Sequence, residues 1–139
     1  MIVSGLNHIN VGTDKLADTI AFYRDVLDLN LGWRPNFPFG GAWLYCGETA
    51  IVHLVELGQA KAPSREAALD HFALSIDDFD AAIGRLETLG VRYNVVDIDD
   101  TPIRQINIRD PNGVNVELNY WPKLSIDERE AMEVADAGC

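Results

Sequence analysis

Apolar and polar positions alternate at residues 6–11, "LNHINV", and again at 69–74, "LDHFAL". Period-two alternation of this kind predicts half-buried strands. In the first run Leu6, His8 and Asn10 share one face, opposite Asn7, Ile9 and Val11. In the second, His71, Ala73 and Ser75 oppose Phe72, Leu74 and Ile76. The period then changes. Leu16, Ile20, Tyr23 and Leu27 recur at helical spacing, and so do Phe79, Ile83, Leu86 and Leu89, which predicts an amphipathic helix after each strand. Each helix opens on acidic residues, Asp14 and Asp77, which suit a helix N-terminus. Gly90 is a good stop for the second helix, and Asp28 is a poorer one for the first.

Three strand-like runs follow each helix. They fall near 31–34, 42–46 and 50–57 in the first half, and near 91–97, 102–109 and 113–120 in the second. The "DPNG" of 110–113 supplies a hairpin turn. The chain is therefore written twice: His8 and His71, Asp14 and Asp77, and Ile20 and Ile83 all keep a 63-residue offset. The expected organisation is an α+β chain with one module over about 4–57, a small, polar linker over 58–68 and a second module over about 69–121. An acidic tail over 122–139 completes it, with a short helix over 125–137 capped by Ser125.

Composition narrows the function. Hydrophobic residues make up 47% of the 139 and charged residues 24%, an ordinary globular balance. The net charge of −11 opposes nucleic-acid binding, which calls for a basic patch, and gives no help at an anionic membrane. No apolar run approaches a membrane span, and the first residues lack the pattern of a signal peptide. The expected location is the cytoplasm. The two cysteines agree: Cys46 falls in an expected strand and Cys139 is the last residue, with nothing that suggests a disulfide framework.

The chemistry lies in the repeat. His53 sits in the last strand of the first half as Val52-His53-Leu54, and the second half offers Val116-Glu117-Leu118 in its last strand, at an offset of 64. Each half thus carries a potential ligand on its first strand and another on its last: His8 with His53, and His71 with Glu117. Val114, Val116 and Leu118 point to a core, which places Asn115, Glu117 and Asn119 on the other face. An uncompensated carboxylate on an inner sheet face would cost several kcal/mol. Three imidazoles and a carboxylate suit a divalent cation such as Zn²⁺, Fe²⁺, Ni²⁺ or Mn²⁺. The bland alternative is a polar cluster in which the histidines and Glu117 bond one another.

These residues, together with "TIAFYRDVL", "DHFALSIDDFDAAIGRLETLGV" and "RDPNGVNVELNY", resemble the vicinal oxygen chelate superfamily over roughly residues 4–121. That superfamily includes glyoxalase I, methylmalonyl-CoA epimerase, fosfomycin-resistance thiol transferases, extradiol dioxygenases and bleomycin-resistance proteins. Residues 36–56 most resemble its single-chain glyoxalase-like members. The resemblance implies two tandem βαβββ modules whose curved mixed sheets enclose a metal-lined cavity. It implies metal ligands at His8, His53, His71 and Glu117, and a homodimer in which His8 and His53 of one chain face His71 and Glu117 of the other. It also implies a lyase or isomerase reaction on a small carbonyl substrate held through two oxygens, with Glu117 as the base and glutathione as a candidate co-substrate.

The chain departs from its relatives in places. Glyoxalase I typically has Glu or Gln where His53 stands, and the thiol transferases commonly have Thr at the position of Asn10. An extradiol dioxygenase using Fe²⁺ could draw its triad from His8, His71 and Glu117, but His53 would crowd it. A non-catalytic small-molecule binder of the same fold is the other alternative. Candidate substrate contacts are Asn10, the aromatic cluster Phe37, Phe39, Trp43 and Tyr45, and the polar Gln105, Asn107 and Asn119, with Asn115 beside them. No Gly-rich phosphate loop or GxSxG elbow is present.

Overall fold

A computed structural model describes residues 1–122, 125–128 and 130–131. Among the described residues eight strands and two main helices follow one another in a repeated order. Strand β1 (Ile9–Thr13) leads to helix α1 (Leu16–Ala21), and then come β2 (Asn30–Gly32), β3 (Gly41–Cys46) and β4 (Thr49–Glu56). Strand β5 (His71–Ile76) leads to α2 (Phe79–Thr88), and then come β6 (Asn94–Asp97), β7 (Arg104–Arg109) and β8 (Asn115–Tyr120). The two sheets have the same topology, β1-β4-β3-β2 and β5-β8-β7-β6. The chain is thus two βαβββ modules, as its repeat predicts.

In the first sheet β1 runs parallel to β4, with Asn10 opposite His53, while β3 runs antiparallel to β4, with Trp43 opposite His53. His53 is therefore flanked on both sides by residues of its own sheet. Val52 and Leu54, its chain neighbours, are fully buried with Leu44, Val11 and Tyr23 in the core of this unit. The alternation read from the sequence decides which way His53 points: its neighbours take the core and the imidazole takes the other face. In the second unit Ile106, Ile108, Val116, Leu118 and Leu86 are buried.

The first strand of each module begins later than expected. His8 lies just before β1, and β5 begins at His71 itself. Alternation continues upstream of Ile9, but β4 pairs with β1 only from Ile9 onward, and a strand extends only as far as its partner. The first helix also changes form. After α1 the chain winds a π-helical turn over Phe22–Val26, which closes with Leu29 N–H donating to the Tyr23 carbonyl (3.0 Å). Asp28 then takes the left-handed conformation at φ 58°, the role Gly90 fills after α2 at φ 68°. Cys46 ends β3 as an exposed free thiol.

Helix α2 is capped by Asp78, whose Oδ1 accepts from Ala81 N–H (2.9 Å). At α1 the position equivalent to Asp78 is Lys15, which makes no side-chain cap; Thr13 Oγ1 accepts from Lys15 N–H instead (3.0 Å). The chain divides into two units: residues 1–72 with 109–115, and residues 73–108 with those from 116 onward. The turn Asp110–Gly113 thus belongs with the first unit, and polar bonds hold it there. Tyr23 Oη donates to Asp110 Oδ2 (3.0 Å), Thr13 Oγ1 donates to Asn112 Oδ1 (2.7 Å), and Asn112 Nδ2 donates to Thr19 Oγ1 (3.1 Å). Thr13, Thr19 and Tyr23 have no exposed surface, so these bonds satisfy groups that would otherwise be costly to bury.

Of the expected C-terminal helix, only its start falls among the described residues. Ser125 Oγ accepts from Glu128 N–H (3.1 Å), and Ser125 N–H donates to Glu128 Oε2 (2.7 Å), a reciprocal capping box. Beyond residue 131, the expected helix and Cys139 lie outside the described residues. Among the described residues no helix is long and apolar enough to cross a membrane.

Candidate metal centre

His8 and His53 meet. Their rings stack with centroids 3.8 Å apart and planes 13° from parallel. Trp43 stacks on His53 as well, at 3.9 Å and 10°. Two rings cannot occupy the same face, so His53 is the middle member of a three-ring stack.

Each histidine is tied down through one nitrogen. His8 Nδ1–H donates to Asn7 Oδ1 (2.7 Å), which leaves its Nε2 lone pair for a ligand. His53 Nε2–H donates to the Ala50 carbonyl (3.1 Å), which leaves Nδ1. His71 Nδ1–H donates to Asp70 Oδ2 (2.8 Å). Anchoring one ring nitrogen so that the other faces a ligand is the usual support for a metal-binding imidazole. Burial, and next the neighbouring His8, push the His53 pKa below its ordinary value, against the opposing pull of the Ala50 carbonyl. A depressed pKa keeps this imidazole neutral, the form that binds a cation.

Glu117 is nearly buried in β8, and Gln105 Nε2 on β7 donates to its Oε1 (2.9 Å). This buried carboxylate thus has a fixed polar partner. Among the described residues no three His, Cys, Asp or Glu side chains come close enough together to hold a metal ion. One chain pairs His8 with His53, while His71 opens β5 and Glu117 lies on β8. The donor types, three imidazoles and one carboxylate, fit a divalent cation.

The other expected site residues separate into two groups. Asn10, Phe37, Phe39 and Trp43 line one cavity of about 130 Å³ together with His53. Tyr45, also on β3, does not line it; its Oη donates to the Trp33 carbonyl (2.6 Å). Gln105 is engaged with Glu117, Asn107 pairs with Asn94 across the β6–β7 ladder, and Asn119 Oδ1 is buried with no hydrogen-bond partner among the described residues. Asn115 is buried, and its N–H donates to Ser64 Oγ (2.8 Å). Three residues near these sites escaped the sequence reading. Asn7 and Asp70 could have been found, because they keep the same 63-residue offset as the histidines they hold. Arg34, in the wall of the aromatic cavity, carried no periodic signal.

A repeated βαβββ chain with histidines at matching strand positions defines a class. Residues 5–118 match the Glyoxalase/Bleomycin resistance protein/Dioxygenase superfamily, and the chain belongs to it. Among curated proteins it is similar to the uncharacterized protein YaeR of Escherichia coli, 31% identical over 81% of this chain and 93% of that protein. It is also similar to glutathione transferase FosA of Serratia marcescens, 26% identical over 85% of this chain and 82% of that protein. A solved structure of the same fold is a mutant of the fosfomycin resistance protein FosX of Listeria monocytogenes, complexed with Mn(II) and 1S,2S-dihydroxypropylphosphonic acid. It has a TM-score of 0.71 and 18% identity, and the match covers 92% of this chain and 98% of that one.

Proposed function

We propose that this chain is a metal-dependent lyase or isomerase of glyoxalase I type that acts in the cytoplasm on a small carbonyl substrate offering two neighbouring oxygens. The observation that carries this reading is the His8–His53 pair. Two imidazoles are brought into contact with Nε2 and Nδ1 left available, beside a small aromatic cavity. His8, His53, His71 and Glu117 would hold the cation, two from each subunit of a homodimer. A bound divalent cation supplies Lewis-acid stabilisation of negative charge on the substrate oxygens. Glu117 takes the proton α to the carbonyl, and Gln105 orients its carboxylate through the 2.9 Å bond to Oε1. Asn10 and the aromatic wall face the substrate. FosA's name, a glutathione transferase, supports glutathione as a co-substrate.

Metal content tests the site. Purified wild type is expected to carry near-stoichiometric Zn, Ni, Fe or Mn, and His53→Ala to lose or weaken it. Glu117→Gln is expected to keep much of the metal and lose most turnover. Activity that survives in Glu117→Gln while metal is lost would overturn the base assignment. If iron predominates, oxygen consumption with catechols tests the extradiol dioxygenase alternative. Absence of metal under every loading condition would leave a non-catalytic binding protein.

A further inference from the structure

The cavity beside His53 holds a cation as well as aromatic rings. Phe37 and Phe39 stack on each other at 5.1 Å and 8°, and Phe37 lies 6.4 Å from Trp43. The Arg34 guanidinium sits over both phenylalanines, with Cζ 4.9 Å from the Phe37 centroid and 5.3 Å from that of Phe39. Its Nη2 donates to the Phe39 carbonyl (2.8 Å). Gly41 leaves the room it occupies, since a Cβ there would stand 3.1 Å from Nη2 and 3.2 Å from Nε. Arg34 is half-buried and lines the cavity with Asn10, Phe37, Phe39, Trp43 and His53.

A guanidinium has five N–H donors, and Arg34 spends one of them on protein among the described residues. No carboxylate of the described residues forms an ion pair with it, in a chain that has 22 acidic residues and only 11 basic ones. Carboxylates outnumber cations two to one, so a cation that meets none of them inside a concave site is placed for something else. Cation–π contacts and one carbonyl hold the group in place without neutralising it. The planar fork suits an oxyanion, which it can grip through two parallel bonds.

We infer that Arg34 binds the anionic end of the substrate, and that the substrate class is a small acid with a flat apolar body. This assignment rests on the reading of the His53 face as the substrate side. A cavity of about 130 Å³ compares with the roughly 150 Å³ of an engineered cavity that accepts benzene, so it admits one ring or a chain of similar bulk. Trp43 and Phe37 supply the flat wall and Arg34 the charge. A carboxylate or a phosphonate would provide the same oxyanion.

Benzoate, benzamide and phenylphosphonate are suitable probes, with binding followed by calorimetry and tryptophan fluorescence on the full chain as purified and again after EDTA treatment. Benzoate or phenylphosphonate is expected to bind about ten-fold or more tightly than neutral benzamide, and the tighter of the two identifies the oxyanion. Arg34→Gln is expected to abolish that preference while leaving benzamide binding unchanged, and Arg34→Lys to restore part of it. Equal binding of charged and neutral probes would overturn the assignment. Equal loss of all probes in Arg34→Gln would do so as well, by making Arg34 an anchor of the 37–39 loop. The EDTA-treated arm separates this inference from the metal site: loss of the metal reading leaves the anion preference standing, and the converse also holds.

Discussion

The imidazoles of His8 and His53 lie face to face, 3.8 Å between centroids and 13° from parallel. An imidazole binds a cation in its own ring plane, at about 2.0–2.1 Å for zinc. Two nearly parallel planes separated by a stacking distance meet only far beyond that length. Both rings therefore cannot bind one cation while stacked, and loading must open the pair. His53 is confined between His8 and Trp43, whereas His8 is exposed and precedes β1, so His8 is the ring that swings. In the metal-free protein its ring protons should be displaced upfield by the stack, and Zn²⁺ should move them downfield in NMR spectra. Stoichiometric zinc uptake without that movement would show that the pair does not share the cation.

Asn7 and Asp70 hold His8 and His71 through equivalent Nδ1 bonds of 2.7 and 2.8 Å. Partners of this kind fix the tautomer and the ring orientation, and removing one typically lowers metal affinity about 10–100-fold. Asn7→Ala and Asp70→Ala should each fall in that range in competition with a chromogenic chelator. Asp70→Ala should have the larger effect, because a carboxylate also raises the basicity of the imidazole it holds. Affinities equal to wild type in both variants would make these bonds incidental surface contacts.

Much of this arrangement is legible in the sequence, and the parts that are not have identifiable causes. The module repeat and the parity that buries Val52 and Leu54 around His53 follow from periods of two and of 3.6. Strand starts do not, because His8 alternates correctly but has no partner on β4. Asp28 reads as a weak stop, yet it takes the left-handed conformation, since the core position of Leu29 fixes where the chain must turn. Tyr23 reads as one more apolar position of a helix. Its bond to Asp110, 87 residues away, connects two segments that no local pattern links. Arg34 is set by a loop without periodicity and by the space at Gly41.

That space yields a stability prediction. A methyl group at residue 41 would fall on the Leu54 carbonyl oxygen and press on the Arg34 guanidinium. Gly41 pairs with Val55 at the start of β3, so the backbone cannot give way without disturbing the β3–β4 ladder. Overpacking of this kind costs about 1–3 kcal/mol. Gly41→Ala should show that loss in chemical denaturation, together with weaker benzoate binding as Arg34 is displaced. A variant as stable as wild type would mean that the strand shifts freely at its end.

Tyr23 gives a prediction whose sign depends on pH. Burial above all, then the charge of Asp110 and the hydrogen bond to it, push the phenol well above its ordinary value. The folded chain therefore holds this proton where the unfolded chain, with a pKa of about 10, releases it. Above that pH the unfolded state binds fewer protons, so stability falls as pH rises. The contribution is fully present below about pH 10 and is lost progressively above it. Tyr23→Phe removes the titrating group and the bond to Asp110 Oδ2, but Asp110 Oδ1 still accepts from the Asn112 and Val114 N–H groups (2.8 and 2.9 Å). The variant should lose about 1–2 kcal/mol at neutral pH. Its stability should then decline less steeply than that of wild type between roughly pH 10 and 11.5. Denaturation curves for both proteins across that range measure the difference. Parallel alkaline slopes would mean that Tyr23 ionises in the folded state as readily as in the unfolded one, and that the buried bond to Asp110 does not hold its proton.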